Sequence, residues 1–155
     1  MKASLLPWIC LSLLPVNALA VVDDAHSYAL EAAESWVAKG VELRYDYARG
    51  TVISGTTKRV SCQVFKGNRY WFFLGGSEDG AKMGITVSGP DGKPLTGKST
   101  KGNNSATFYF TAPRTMLVSI DITGSVGAGV EFNWALVYGF QAPEKSLLQE
   151  SSSNP

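Results

Sequence analysis

Apolar and polar residues alternate with two different periods along this chain of 155 residues. In its first part, apolar side chains recur at steps of three and four, which is typical of one face of an α-helix. These side chains are Ala29, Leu30, Ala33, Trp36 and Val37. Asp23 and Asp24 suit the first turn, and Gly40 suits the end. The pattern therefore predicts one helix within residues 21–40.

From residue 51 the period shortens to two, and Gly, Pro, Asn and Asp punctuate the chain, as in a β-protein. Strands are predicted over residues 58–65, 69–74, 83–88, 93–96, 105–111, 116–123 and 130–138, with residues 41–47 extended before them. The short turn at residues 66–68 predicts that the first two strands form a hairpin. We expect a mainly β fold, an antiparallel β-sandwich or jelly roll over residues 41–140, with the helix packed on it.

The predicted strand at residues 70–74 carries apolar side chains on both faces. A strand with one face in water would alternate with polar residues, so something must cover its second face. The rings of Trp71 and Phe73 either lie under the helix or stay exposed as a platform for a sugar or a protein. We expect the helix to cover them, with Trp36 close to one of the two.

The first 20 residues have the pattern of an export signal, with a basic start, an apolar run over residues 5–14 and Ala18-Leu19-Ala20 as a cleavage site. The run is shorter than the roughly 20 residues that a membrane span needs. We therefore expect cleavage after Ala20 and a periplasmic or secreted protein without stable membrane insertion. Residues 141–155 are polar and rich in serine, which predicts a disordered tail.

Charge and cysteine content narrow the class of partner. Lys and Arg number 14 against 13 Asp and Glu, so no strong field favours nucleic acid, and a protein or carbohydrate partner is expected.

Cys10 lies in the predicted signal, which leaves Cys62 alone and makes an intramolecular disulfide impossible. Cys62 alternates with Val60 and Val64 on an apolar strand face, where a thiol behaves as a small hydrophobe. A reactive or dimer-forming thiol is the alternative.

The sequence offers few residues for catalysis. His26 is the only histidine and is expected to be a dispensable surface residue in the first helical turn. One His and one Cys do not form a zinc, copper or iron cluster, and neither a Gly-x-Ser-x-Gly elbow nor a phosphate-binding loop is present. Paired carboxylates for glycoside hydrolysis remain an alternative, although the spacing brings no two together. The candidates are Glu78, Asp79, Asp91, Asp121 and Glu131.

Two loops are the expected places for recognition, residues 75–80 and 97–104, because loops on a rigid β-scaffold commonly carry binding. With the exposed-aromatic alternative, the candidate ligand-binding residues are Trp71, Phe73, Glu78, Asp79 and Asn103. Glu78, Asp79 and Asp91 have oxygen ligands that suit calcium. The simpler interpretation is that these acids solvate loops, so no cofactor is expected.

Several motifs between residues 51 and 138 occur in a recognisable order. They are Gly55, the strand with Val60 and Val64, Lys66-Gly67-Asn68-Arg69-Tyr70, Ile85-Thr86-Val87, Pro90-Asp91-Gly92-Lys93-Pro94-Leu95, Phe108-x-Phe110, Pro113 and Leu117-x-Ser119-x-Asp121. In these features the chain resembles the bacterial pre-peptidase C-terminal type of β-sandwich. The resemblance implies a non-catalytic module of secreted proteins that binds a surface, a polysaccharide or a protein. Ala81-Lys82-Met83-Gly84 stands where that family often has Asp-x-Asp, which argues against calcium.

Functions of different classes follow from these observations. We favour an exported, non-catalytic binding or interaction module for a polysaccharide, a cell surface or a protein. The alternatives are a small secreted hydrolase that uses loop carboxylates, and an envelope structural protein that oligomerises through an exposed aromatic face. Two carboxylates facing each other in a concave pocket would favour the hydrolase.

Overall fold

The computed structural model describes residues 20–143, so most of the predicted signal and of the predicted tail lies outside the described residues. These residues form one helix and nine strands: α1 (Ala20–Val37), β1 (Glu42–Leu43), β2 (Ala48–Ile53), β3 (Thr57–Val64), β4 (Arg69–Gly76), β5 (Lys82–Ser88), β6 (Lys98–Gly102), β7 (Ser105–Thr111), β8 (Met116–Ser125) and β9 (Glu131–Gln141). No helix within this range is long and apolar enough to cross a membrane.

The strands form two antiparallel sheets. The larger sheet has the order β1-β9-β4-β7-β6, and β2 also pairs with β9 beyond β1. The smaller sheet has the order β3-β8-β5. With α1 packed on the larger sheet, the predicted β-sandwich with one N-terminal helix is confirmed. β9 ends at Gln141, so the first residue of the predicted tail belongs to the last strand.

The main core lies between the two sheets. The inner face of β4 contributes Tyr70, Phe72 and Leu74, which pack in one buried cluster with residues of the facing strand β8. The partners on β8 are Val118, Ile120 and Ile122. This interior is built from the inward set of each alternating strand, as expected for a sandwich.

A second core lies between α1 and the outer face of the larger sheet. Trp71 and Phe73 are 1% and 0% exposed there, under Ala29 and Ala33 of the helix. The ring of Trp36 lies 5.6 Å from that of Trp71. Coverage by the helix is therefore confirmed, and the alternative of an exposed aromatic platform is wrong.

The helix contacts the sheet through small side chains rather than through its largest aliphatic ones. Gly75 follows Trp71 and Phe73 on the same face of β4, and a Cβ atom there would overlap the backbone carbonyl of Ala25. The buried face of the helix runs through Ala25, Ala29 and Ala33 at steps of four, so Leu30 lies outside it, although the spacing places it on the apolar stripe. Leu30 is 41% exposed, as Val37 is 44%.

The predicted hairpin between the strands around residues 58–65 and 69–74 is wrong. β3 pairs with β8 in the smaller sheet, whereas β4 pairs with β7 and β9 in the larger one. The turn between them, with Gly67 at a φ of 86°, therefore crosses from one sheet to the other. β4 is apolar on both faces and needs cover on both, while β3 is exposed on one face and lies at an edge.

Two further strands were not predicted. β2 lies before the alternating region, and its Ala-Arg-Gly-Thr start lacks a clear period of two. β6 occupies most of the predicted polar loop at residues 97–104, because it pairs with β7 through its backbone while every side chain stays exposed. Its hairpin turn contains Asn104, whose φ of 53° is left-handed.

Candidate functional site

A groove opens along one side of the sandwich, where the edge strands β2 and β3 of the two sheets face each other. The turn that joins these strands is closed by a hydrogen bond from the Thr56 N–H to the carbonyl of Ile53 (2.9 Å). Beyond the turn β2 follows β9 and β3 follows β8, and a cavity of about 500 Å³ lies between them. We call it the seam groove. Its aromatic and thiol lining comprises Tyr47, Cys62, Phe65, Tyr70, Tyr138 and Phe140.

One wall of the seam groove is the edge of β3. Residues 60–63 all line the groove, although successive side chains of a strand point to opposite faces. Four consecutive residues can line one cavity only when the strand presents its edge to it. β3 pairs with β8 on its other side and has no strand beside it on the groove side in the described part of the chain.

The floor is made of aromatic residues from the inner face of the larger sheet. Tyr70 of β4 and Phe140 of β9 pack with ring centroids 6.2 Å apart. The hydroxyl of Tyr70 accepts a hydrogen bond from the Phe65 N–H (2.9 Å), which ties the end of β3 to this floor. Phe65 itself is 57% exposed at the rim.

The opposite wall is an irregular segment between β1 and β2. Leu43 pairs with Gly139 and Ala48 with Leu136, so four residues on this side oppose two on β9. The segment therefore bulges out of the sheet. Asp46 in the bulge accepts a hydrogen bond from the hydroxyl of Tyr138 (3.2 Å).

An exposed ion pair between Arg44 and Asp46 lies within the bulge, and His26 of α1 contacts the bulge from the helix. The Nε of Arg44 lies 3.7 Å from a carboxylate oxygen of Asp46. The ring of His26 stacks on Tyr47, with centroids 4.1 Å apart and 8° between the planes. His26 is half-buried in the second turn of α1 rather than in the predicted first turn, and its dispensability stays a prediction. The bulge brings Tyr47 to the helix, and no local pattern around His26 signals that contact.

Two side chains that line the groove, Cys62 and Tyr138, have raised pKa values. Burial raises the pKa of the Cys62 thiol to about 11, and the nearby Asp46 carboxylate adds to the rise. The thiol donates a weak hydrogen bond to the carbonyl oxygen of Gln63 (3.6 Å). Burial likewise raises the pKa of Tyr138 above its ordinary value. Cys62 is thus an uncharged, partly buried side chain on the apolar face of β3, as the sequence predicts.

The other predicted site residues lie away from the seam groove. Trp71 and Phe73 are buried under α1, so they offer no surface to a ligand in this structure. Glu78 and Asp79 lie in the loop after β4, and Asn103 is exposed in the turn between β6 and β7. A ligand-binding role for Glu78, Asp79 or Asn103 stays a prediction.

Asp79 has a structural setting that the sequence did not indicate. One of its carboxylate oxygens lies 3.5 Å from both the Tyr28 hydroxyl and the side-chain amide of Asn104. Asn104 is buried and accepts a hydrogen bond from the Ala81 N–H (3.1 Å). The two predicted recognition loops therefore meet at Asp79 and Asn104, next to α1.

Two further candidate carboxylates, Asp121 and Asp91, are held in local contacts. Asp121 forms a two-point ion pair with Arg59 across β3 and β8, at 2.6 and 2.8 Å, and this pairing lowers the pKa of Asp121. Asp91 accepts a hydrogen bond from the Lys93 N–H in its turn (3.2 Å). Within residues 20–143, no group of three or more His, Cys, Asp or Glu side chains is placed to hold a metal ion.

The aromatic lining of the seam groove is the feature that sequence reasoning missed. Tyr47, Phe65 and Tyr138 come from three separate segments of the chain, and Tyr47 lies in a bulge that the sequence does not predict. The exposed Phe65 just after an alternating strand is the one local signal that could have marked the rim.

The sequence matches no family model and no curated protein. Among solved structures, the chain is similar to that of Aeromonas hydrophila PliG, a periplasmic lysozyme inhibitor of g-type lysozyme. The TM-score is 0.46 and the identity 15%, over 66% of this chain and 90% of that chain. At this distance neither an activity nor a partner transfers from one protein to the other. The resemblance to pre-peptidase C-terminal modules stays a prediction.

Proposed function

We propose that this protein is an exported, non-catalytic binding module whose ligand lies in the seam groove. One observation carries the proposal. At the seam, inner-face rings of the larger sheet line a cavity of about 500 Å³ that lies beside the free edge of β3. The export component rests on the predicted signal in residues 1–20.

The size and lining of the groove support binding. Cavities that take small ligands or ligand segments measure about 300–1,000 Å³ and combine apolar walls with a few polar groups. Here the aromatic floor is rimmed by Arg44, Gln63 and Asn68, which offer planar donors. Such a rim can orient a ligand while the rings bury its apolar parts.

The side chains in the groove support a role without catalysis. A thiol with a pKa of about 11 is protonated at neutral pH and is a poor nucleophile. Asp46 is engaged by Tyr138 and by Arg44, which leaves it a structural carboxylate of the wall. The resemblance to pre-peptidase C-terminal modules implies the same kind of role.

Screening the purified protein against a glycan array and a phage library of random peptides tests the proposal. A ligand retained by either screen is then titrated against Phe65→Ala and Leu117→Ala. The two side chains are matched, at 57% and 55% exposed, but Leu117 lies opposite Gln63 on β8, outside the groove lining. We expect Phe65→Ala to weaken binding at least about tenfold and Leu117→Ala to leave it unchanged. Equal binding by both variants would place the ligand elsewhere.

A further inference from the structure

We infer that the seam groove takes an extended peptide segment of a partner protein, which adds as a new strand to the free edge of β3. The inference rests on the proposed function of the groove and names its ligand class. It starts from how the sheet edges of this molecule are protected.

Exposed sheet edges are usually blocked against pairing with other chains, by charges, bulges or covering segments. The β5 edge is covered, because Pro94 bridges to Ser88 and the Leu95 N–H donates to the carbonyl of Val87 (2.8 Å). The β6 edge is short and carries Lys98 and Lys101. The edge formed by β1 and β2 is broken by the bulge at residues 44–47.

In the described part of the chain, the edge of β3 has neither a bulge nor a covering segment, and Lys58 near its start is its one unpaired charge. It pairs with β8 without a break over eight residues, from Thr57 opposite Thr123 to Val64 opposite Met116. Arg59 is held on β8 by its two hydrogen bonds to Asp121. In an antiparallel strand, every second residue directs its N–H and C=O away from the paired neighbour. On β3 these groups face the seam groove.

An added strand would satisfy these backbone groups and fill the groove at the same time. Alternate side chains of a strand point to opposite faces, so one set would reach the floor at Tyr138 and Phe140. The other set would lie beside Ser61 and Gln63 on the outer face. Peptide recognition by strand addition uses this division, with backbone hydrogen bonds for affinity and pockets for selectivity.

The charges around β3 indicate an acidic partner. Lys58 lies near the start of the strand and Lys66 just past its end, and neither has an acidic partner within the described residues. At about 3.3 Å per residue, β3 extends about 20 Å from Lys58 to its last residue, Val64, and Lys66 lies in the turn just beyond it. The segment that fits best alternates apolar and polar residues and carries carboxylates near both ends. A second copy of β3 would bring the same cations and no carboxylate.

A phage library of random eight-residue peptides is first selected for binding to the full chain. The enriched sequence is then synthesised and used as the probe. Its affinity is compared for the wild type, for Lys58→Glu with Lys66→Glu, and for the control Lys98→Glu with Lys101→Glu on the β6 edge. We expect the first double variant to weaken binding at least about tenfold and the control to leave it unchanged. We also expect bound peptide to slow amide hydrogen exchange within β3.

Strand addition would be overturned if bound peptide does not slow amide exchange in β3. It would also be overturned if peptide binds Lys58→Glu with Lys66→Glu as tightly as it binds the wild type. If Phe65→Ala still weakens peptide binding, the groove remains a binding site. If no peptide is enriched but a glycan binds and Phe65→Ala weakens it, strand addition is likewise wrong and the groove remains a binding site. If Phe65→Ala changes the affinity of none of the ligands, or if neither screen yields a ligand, both the strand-addition inference and the proposed function are wrong.

Discussion

At the scale of single residues, local alternation predicts the environment of Cys62 correctly. The contacts of His26 and Asp79 depend instead on residues distant in the sequence. Val60, Cys62 and Val64 share one strand face, and a period of two is enough to predict this. The contacts of His26 with Tyr47 and of Asp79 with Asn104 could not be predicted in this way. Each joins segments at least 21 residues apart: the packing of the helix brings His26 to Tyr47, and the pairing of β4 with β7 brings Asp79 to Asn104.

The buried thiol gives a pH-dependent prediction. Because burial raises the pKa of Cys62 to about 11, little thiolate forms below pH 9 and it increases as the pH approaches 11. In a Cys10→Ser variant, we expect iodoacetamide to label Cys62 far more slowly at pH 8 than in the same protein unfolded by urea, and the rate to rise steeply toward pH 11. Equal rates for folded and unfolded protein at pH 8 would contradict the burial.

The same shift affects stability at alkaline pH. A thiol whose folded pKa lies above its ordinary value of 9.0 favours the folded state while it is protonated. That contribution is present below pH 9 and is lost as the pH rises toward 11. The urea midpoint of the wild type should therefore fall more over this range than that of Cys62→Ala, which serves as the control.

At the scale of elements, the apolar strand at residues 70–74 was the most informative part of the sequence. Both of its faces are apolar, which required a cover on the second face, and α1 with its apolar stripe supplies it. Strand partners were harder to predict. A three-residue turn is compatible with a hairpin or with a crossing between sheets, and the choice depends on which strands bury both faces.

Trp36 tests the docking of the helix. It is half-buried between Trp71 and Tyr109, with ring centroids 5.6 and 4.9 Å away. We expect Trp36→Ala to lower the free energy of unfolding by about 2–3 kcal/mol, near the lower end for aromatic truncations in cores. Leu30→Ala on the exposed face of the same helix should change it by less than about 0.5 kcal/mol. Similar urea midpoints for the two variants would show that the helix is not docked.

Gly75 tests the closeness of that docking. An added methyl group would meet the backbone of Ala25 and Ala29, neither of which can move without the helix. Gly75→Ala should therefore destabilise the fold by about 2–3 kcal/mol, as overpacking does. Gly127 has space for a Cβ atom, its nearest contact being 3.5 Å to Val130, so Gly127→Ala is the matched control. A neutral Gly75→Ala in thermal unfolding would mean that helix and sheet lie further apart.

At the scale of the whole molecule, the sequence indicated the layers of the fold but not the opening between them. The seam groove depends on where two edge strands diverge and on a bulge at residues 44–47, and neither has a signature in local periodicity. Of the two predicted recognition loops, most of residues 97–104 belongs to β6, whereas β4 includes only the first two residues of 75–80. Recognition is therefore proposed at a strand edge instead.

Export remains a prediction from residues 1–20. Cleavage after Ala20 would leave residues 21–37 of α1, including Ala29, Ala33 and Trp36, which pack on the sheet. We expect mass spectrometry of protein recovered from the periplasm or medium to show Val21 as the first residue. An intact mass that includes residues 1–20 would contradict it.

The central claim is that the ligand occupies the seam groove, and hydrogen exchange with bound ligand tests it most directly. The measurement compares the exchange of each segment of the full chain with and without the ligand obtained from the peptide or glycan screen. We expect slower exchange in β3, in the bulge at residues 44–47 and at the end of β9, with the loops around Asp79 and Asn103 unchanged. Slower exchange confined to those loops, with none along the groove, would contradict the claim.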